Sequence, residues 1–126
     1  MTVETLYTSR ASKPVGPYSH ARKCGNLIIT SGQIALDPVT NELATGVRES
    51  TRMVLNNLLA IVEEGGGSLE TIAKVDIFVR SMDDFDEINE VYVDFFKDVK
   101  PARVLVEVSR LPKDAVIEAA MIAFTK

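Results

Sequence analysis

The chain has 126 residues and a formal net charge of −4. That length predicts one domain over 1–126, large enough to bury a core without disulfides. Acidic and basic residues are interspersed, which argues against a nucleic-acid partner, and the longest apolar runs are too short to span a bilayer.

The single cysteine, Cys24, cannot form an internal bridge or a cysteine-based zinc cluster. It is more simply an apolar filler than a nucleophile. A reducing compartment is expected, and Met1-Thr2-Val3-Glu4 lacks the pattern of a signal peptide, so the expected location is cytoplasmic.

In chain order, residues 3–8 predict a short edge strand. Residues 9–19 contain Pro14, Gly16 and Pro17 and predict a loop with fixed turns. His20 to Cys24 and Leu27 to Ser31 predict two strands joined at Gly25-Asn26. His20 is expected on the strand surface, without a role. Residues 37–41 form a turn cluster. Val54, Leu55, Leu58, Ile61 and Val62 make a helical stripe within 47–64, ended by Gly65-Gly66-Gly67. Ala73, Val75, Ile77 and Val79 alternate with polar residues as in a strand with one buried face, which Phe78 interrupts. Ser81 and Asp84 have capping-box spacing before a second helix. Its apolar side holds Phe85, Ile88, Tyr92, Phe95 and Phe96. Strands at about 102–109 and 116–124 close the chain.

The order β-β-β-α-β-α-β-β predicts an α+β fold: one sheet with both helices packed on one face. The last strand is apolar on both sides, so a second cover is expected. With only two helices available, that cover is expected to be another subunit.

Arg103 and Glu118 each stand among apolar strand residues. A charge in that setting needs a partner. If Leu111-Pro112-Lys113-Asp114 were a hairpin turn, the last two strands would pair and could place Arg103 opposite Glu118. A one-residue slip would send them to opposite faces. The plain alternative is a mutual salt bridge. For Asn89, Tyr18, Ser19 and Ser31-Gly32-Gln33 the plain alternatives are a helix-face amide, turn chemistry and a loop start. No phosphate-loop, dinucleotide or HExxH motif is present.

Taken together, Gly16-Pro17-Tyr18-Ser19, Ser31-Gly32-Gln33-Ile34, Leu36-Asp37-Pro38, Asn89-Glu90-Val91-Tyr92, Pro101-Ala102-Arg103, Val106-Glu107-Val108, Leu111-Pro112-Lys113 and Ile117-Glu118 resemble the reactive-intermediate deaminase (Rid) family. Asn57-Leu58, Lys74-Val75 and Phe95-Phe96 fit the same order, so the resemblance runs nearly end to end.

The resemblance implies a fold like trimeric chorismate mutase, with sheets facing inward and clefts between subunits. It implies cofactor-free and metal-free hydrolysis of 2-aminoacrylate and 2-aminocrotonate, through their imines, to 2-oxo acids and ammonia. Arg103 and Glu118 match the family's catalytic positions. Arg103 would hold the substrate carboxylate, and Glu118 would activate water and relay a proton. Tyr18, Ser31, Gly32 and Asn89 match pocket positions. Leu105 also matches a substrate-binding position, where many active members have cysteine; its backbone carbonyl is expected to matter more than its side chain, so activity should survive with an altered pocket size. Ala120 stands where relatives often have a second glutamate. A small-carboxylate-binding module and an RNA-cleaving translation inhibitor are the competing readings. The acidic balance speaks against the second.

Overall fold

A computed structural model describes residues 2–126. Seven strands form one sheet. They are β1 (Val3–Leu6), β2 (Ala21–Cys24), β3 (Leu27–Thr30), β4 (Gln33–Ile34), β5 (Ile72–Val79), β6 (Ala102–Glu107) and β7 (Ile117–Phe124). Helix α1 (Val47–Glu64) precedes β5, and α2 (Phe85–Phe96) joins β5 to β6. The sheet order is β1-β2-β3-β7-β5-β6, with β4 also on β7. All pairs are antiparallel except β5 with β6. A parallel pair needs a crossover, and α2 supplies it.

Both helices cover the same face, as the α+β reading expects. Val75, Ile77 and Val79 of β5 and Ile117, Ala119, Met121 and Ala123 of β7 point toward them and are buried. Val54, Leu55, Leu58 and Ile61 meet these strands from α1, and Ile88, Tyr92 and Phe96 from α2. Fully burying each large aliphatic side chain contributes about 1.5–3 kcal/mol. The Gly-rich segment does end α1. Gly66 has φ 97° there, in the left-handed region, and its N–H donates to the Glu63 carbonyl. Arg48 on α1 pairs with Glu87 and Glu90 on α2 at the exposed seam.

The hairpin that Leu111-Pro112-Lys113-Asp114 would allow between the last two strands does not form. β5 lies between them, pairing with β6 through Val75↔Arg103 and with β7 through Phe78↔Glu118. Residues 108–116 span that gap through a 3₁₀ turn at Pro112–Asp114. β5 is apolar along its buried face and serves both neighbours, so it takes the central place that a hairpin would have closed off.

Three smaller departures have local causes. β4 forms where a loop was expected, because Gln33 and Ile34 pair with Ala119 and Glu118. A 3₁₀ turn (Met82–Asp84) precedes α2, so Ser81 Oγ accepts from the Asp83 N–H at 3.1 Å rather than from residue 84. His20 is buried, not on the strand surface.

The other sheet face is open. Val3, Ile29, Val104, Val106 and Phe124 are exposed there at 41–45 %. A row of apolar side chains this uniform is unusual for a face meant for water. No helix among the described residues is long and apolar enough to cross a membrane.

Candidate active site

Glu118 projects from β7 onto the open face, half-buried. It lines a cavity of about 340 Å³ with Val15, Tyr18, Ser31, Gly32 and Pro112. Gly32 lies so close that a Cβ built there would collide with the Glu118 carboxylate, so only glycine fits without displacing it. Burial raises the Glu118 pKa above its ordinary value, because desolvation disfavours the charged form.

The loop opposite Glu118 is tied down by side chains. Ser31 Oγ donates to the Ser19 carbonyl at 2.6 Å, and the Ser31 N–H donates to the His20 carbonyl at 2.9 Å. The Tyr18 hydroxyl accepts from the Val15 N–H at 3.2 Å, and its N–H donates to the Gly16 carbonyl at 2.9 Å. His20 anchors this loop from beneath. Its Nδ1 accepts from the Thr8 N–H at 3.1 Å, and its Nε2 donates to the Ser12 carbonyl at 2.6 Å. Accepting at one nitrogen and donating at the other describes a neutral imidazole.

Arg103 stands elsewhere. It shares the face of Val75, toward α2, where Asn89 Oδ1 accepts from its Nη1 at 2.8 Å. Its guanidinium lies 4.8 Å from the Tyr92 ring centroid and 5.9 Å from that of Phe85. Phe85, Asn89 and Tyr92 follow i, i+4, i+7 spacing, so one stripe of α2 presents all three to the guanidinium. That spacing was visible in the sequence, although Tyr92 and Phe85 were expected only as core. Arg103 also lines a cavity of about 460 Å³ with Tyr92, Phe96, Lys97, Val99 and Pro101. Burial raises the Tyr92 pKa, and the nearby Arg103 charge partly offsets this. Leu105 packs on the core beneath the same face. Ala120 is on the open face, opposite Asp76.

The predicted residues therefore fall into two groups. Tyr18, Ser31, Gly32 and Glu118 share one cavity. Arg103 and Asn89 are joined on the other side of the sheet. The alternative of an Arg103–Glu118 salt bridge is not met within the protomer, and neither is their direct pairing, since the two side chains leave opposite faces of β5's neighbours. Among the described residues no group of three or more His, Cys, Asp or Glu side chains could hold a metal ion.

A family model described as endoribonuclease L-PSP matches residues 8–125. The chain belongs to the Rid family. It is 49% identical to a RutC family protein of Pyrococcus abyssi over 98% of both chains. It is 41% identical over 114 residues to a 2-iminobutanoate/2-iminopropanoate deaminase of Dermatophagoides farinae, covering 90% of this chain and 89% of that protein. Among solved structures, the Escherichia coli YjgF gene product superposes with a TM-score of 0.94 at 41% identity, over 98% of this chain and 99% of that one. E. coli TdcF with bound serine superposes equally well, TM-score 0.94 at 38% identity, over the same shares. These Rid-family relatives share the arrangement of two helices on a mixed, open sheet.

Proposed function

We propose that this Rid-family chain is a 2-iminobutanoate/2-iminopropanoate deaminase, a hydrolase acting on C–N bonds. The observation that carries the reading is the Glu118 carboxylate, held in a cavity with Ser31, Gly32 and Tyr18 and raised in pKa by burial. The deaminase-named relative at 41% identity supports it.

The substrate is a protonated 2-imino acid, R–C(=NH₂⁺)–COO⁻, in tautomeric balance with 2-aminoacrylate or 2-aminocrotonate. Arg103 takes the carboxylate in its planar fork, and Asn89 fixes that fork by accepting from Nη1. Glu118 accepts a proton from water as the oxygen bonds to C2. The carbinolamine then receives a proton on nitrogen, through Glu118, and the C–N bond breaks. Ammonia leaves and takes the remaining hydroxyl proton as ammonium, and the carbonyl of pyruvate or 2-oxobutanoate forms. Water and proton transfer balance the reaction, so it needs no cofactor or metal. The raised Glu118 pKa suits a group that must both take and return a proton. Ser31 and the Gly32 N–H hydrogen-bond the substrate, and Tyr18 covers it.

Opposite faces keep Arg103 and Glu118 of one protomer apart. Hydrolysis by both residues therefore needs a second copy, and we place them in a homotrimer with sheets inward, in which each site takes Arg103 from one copy and Glu118 from the next. The exposed apolar row on the open sheet face supports that assembly.

The test couples a serine/threonine dehydratase to this protein and follows the imine absorbance. Faster decay with wild type, lost in Arg103→Ala and in Glu118→Gln, is the expected result. No acceleration by the folded protein overturns the reading. It would favour a small-carboxylate-binding module, to which the serine bound in E. coli TdcF lends support.

A further inference from the structure

Arg22 is a charged residue of the open face that the reaction above does not use; Lys74 and Asp76, on the same face, pair with each other at 3.2 Å. On β2 Arg22 pairs with Thr5 and with Ile29, so its side chain leaves the sheet on the same side as Glu118. Among the described residues no carboxylate is within ion-pair distance of it.

A concavity of about 670 Å³ surrounds it, lined also by Thr5, Tyr7, Tyr18, Ser19 and Ser31. That lining holds one cation, several hydroxyls and no acid. Tyr18 and Ser31 line both this concavity and the Glu118 cavity, so the two share a wall. Ile29, the partner of Arg22, precedes Ser31 by two residues, about 7 Å along the strand. An arginine side chain spans that distance. The surface therefore runs from Glu118, past Ser31 and Tyr18, to an uncompensated guanidinium.

We propose that Arg22 is a specificity residue that receives a second carboxylate, and that this site accepts 2-imino acids with an acidic side chain. The proposal rests on the deaminase reading. Arg103 holds the carboxylate beside the reacting carbon, Glu118 addresses that carbon, and the side chain extends along Tyr18 and Ser31. A solvated arginine next to open water gains little from a carboxylate. One on a face covered by neighbouring copies loses water and gains much more from the same partner.

The experiment titrates oxaloacetate and pyruvate, the 2-oxo products with and without the second carboxylate, into wild type, Arg22→Met and Arg22→Lys by calorimetry. Wild type is expected to bind oxaloacetate at least tenfold more tightly than pyruvate. Arg22→Met should erase that ratio and Arg22→Lys keep part of it. The proposal is overturned if wild type shows no preference, or fails to bind oxaloacetate. It is also overturned if the preference survives Arg22→Met, as it would if Arg22 instead pairs with an acid of a neighbouring copy. Turnover of 2-iminopropanoate, measured alongside, separates the two ideas. Absent turnover with a tenfold preference removes the deaminase reading and leaves the dicarboxylate site standing.

Discussion

Arg103 and Glu118 project from opposite faces of one sheet, because β5 pairs with the first through Val75 and with the second through Phe78. Val75 and Phe78 are three residues apart, and side chains alternate along a strand. No rotamer change brings the two charges into one cleft. A reaction that uses both must be built by two copies of the chain.

Mixing the variants tests this directly. Arg103→Ala and Glu118→Gln should each be inactive alone. Unfolded together in equal amounts and refolded, they should recover about a quarter of wild-type imine hydrolysis, the fraction of sites drawing both intact residues from a random head-to-tail ring. Recovery near zero, in mixed oligomers confirmed by mass, would place both residues in one protomer's site.

How much of this was legible in the sequence depends on range. Local patterns were sufficient for α1, α2 and the alternation of β5, because periodicity is a property of neighbouring residues. The pairing of β6 was not, because a parallel crossover and a hairpin both satisfy the same apolar runs. Glu118 stands out as a charge among apolar strand residues and Gly32 through the resemblance, yet their contact depends on β4 joining β7, which two residues cannot announce. The burial of His20 was missed because its partners, Thr8 and Ser12, are backbone groups with no signature.

Gly32→Ala is expected to damage the site more than the fold. The added Cβ meets the Glu118 carboxylate, which must swing away. Overpacking of this kind costs about 1–3 kcal/mol, and less where a partly exposed side chain can yield. Activity should fall at least tenfold while the melting temperature drops by only a few degrees. Calorimetry and the coupled assay on one preparation give both numbers. Full activity would show that the Glu118 position is not critical.

The pH dependence of stability follows from Glu118. Its folded pKa lies above the ordinary 4.5, with burial as the cause. The folded state therefore binds the proton more tightly than the unfolded chain does. Stability from this group is fully present below about pH 4.5 and is lost as pH rises through the folded value. Glu118→Gln should then melt higher than wild type at pH 7, with the gap closing toward pH 4. Equal melting curves at neutral pH would mean that the carboxylate is not desolvated in solution.

His20→Ala should loosen the loop that carries Tyr18. It leaves the Thr8 N–H and the Ser12 carbonyl without partners, and each such loss costs about 1–3 kcal/mol when the group is buried. The expected pattern is a lower melting temperature and a raised KM, with kcat less affected. His20→Gln, whose amide can both donate and accept, should recover part of the loss. A change in kcat alone would point instead to direct participation in the chemistry.

The apolar row on the open face gives the last test. Val106 is 41 % exposed on that face, whereas Val39 is 91 % exposed in the turn at 37–41, away from both cavities. In a trimer with sheets inward, Val106→Glu places three carboxylates near the shared interior, where desolvation and like charge both oppose assembly. It should yield monomers by light scattering and abolish imine hydrolysis, since each site needs two copies. Val39→Glu, adding the same charge to a solvated turn, should leave mass and rate unchanged. A Val106→Glu protein that keeps the wild-type mass would show that another surface joins the subunits, and the exposed valines of β6 would then need a different partner.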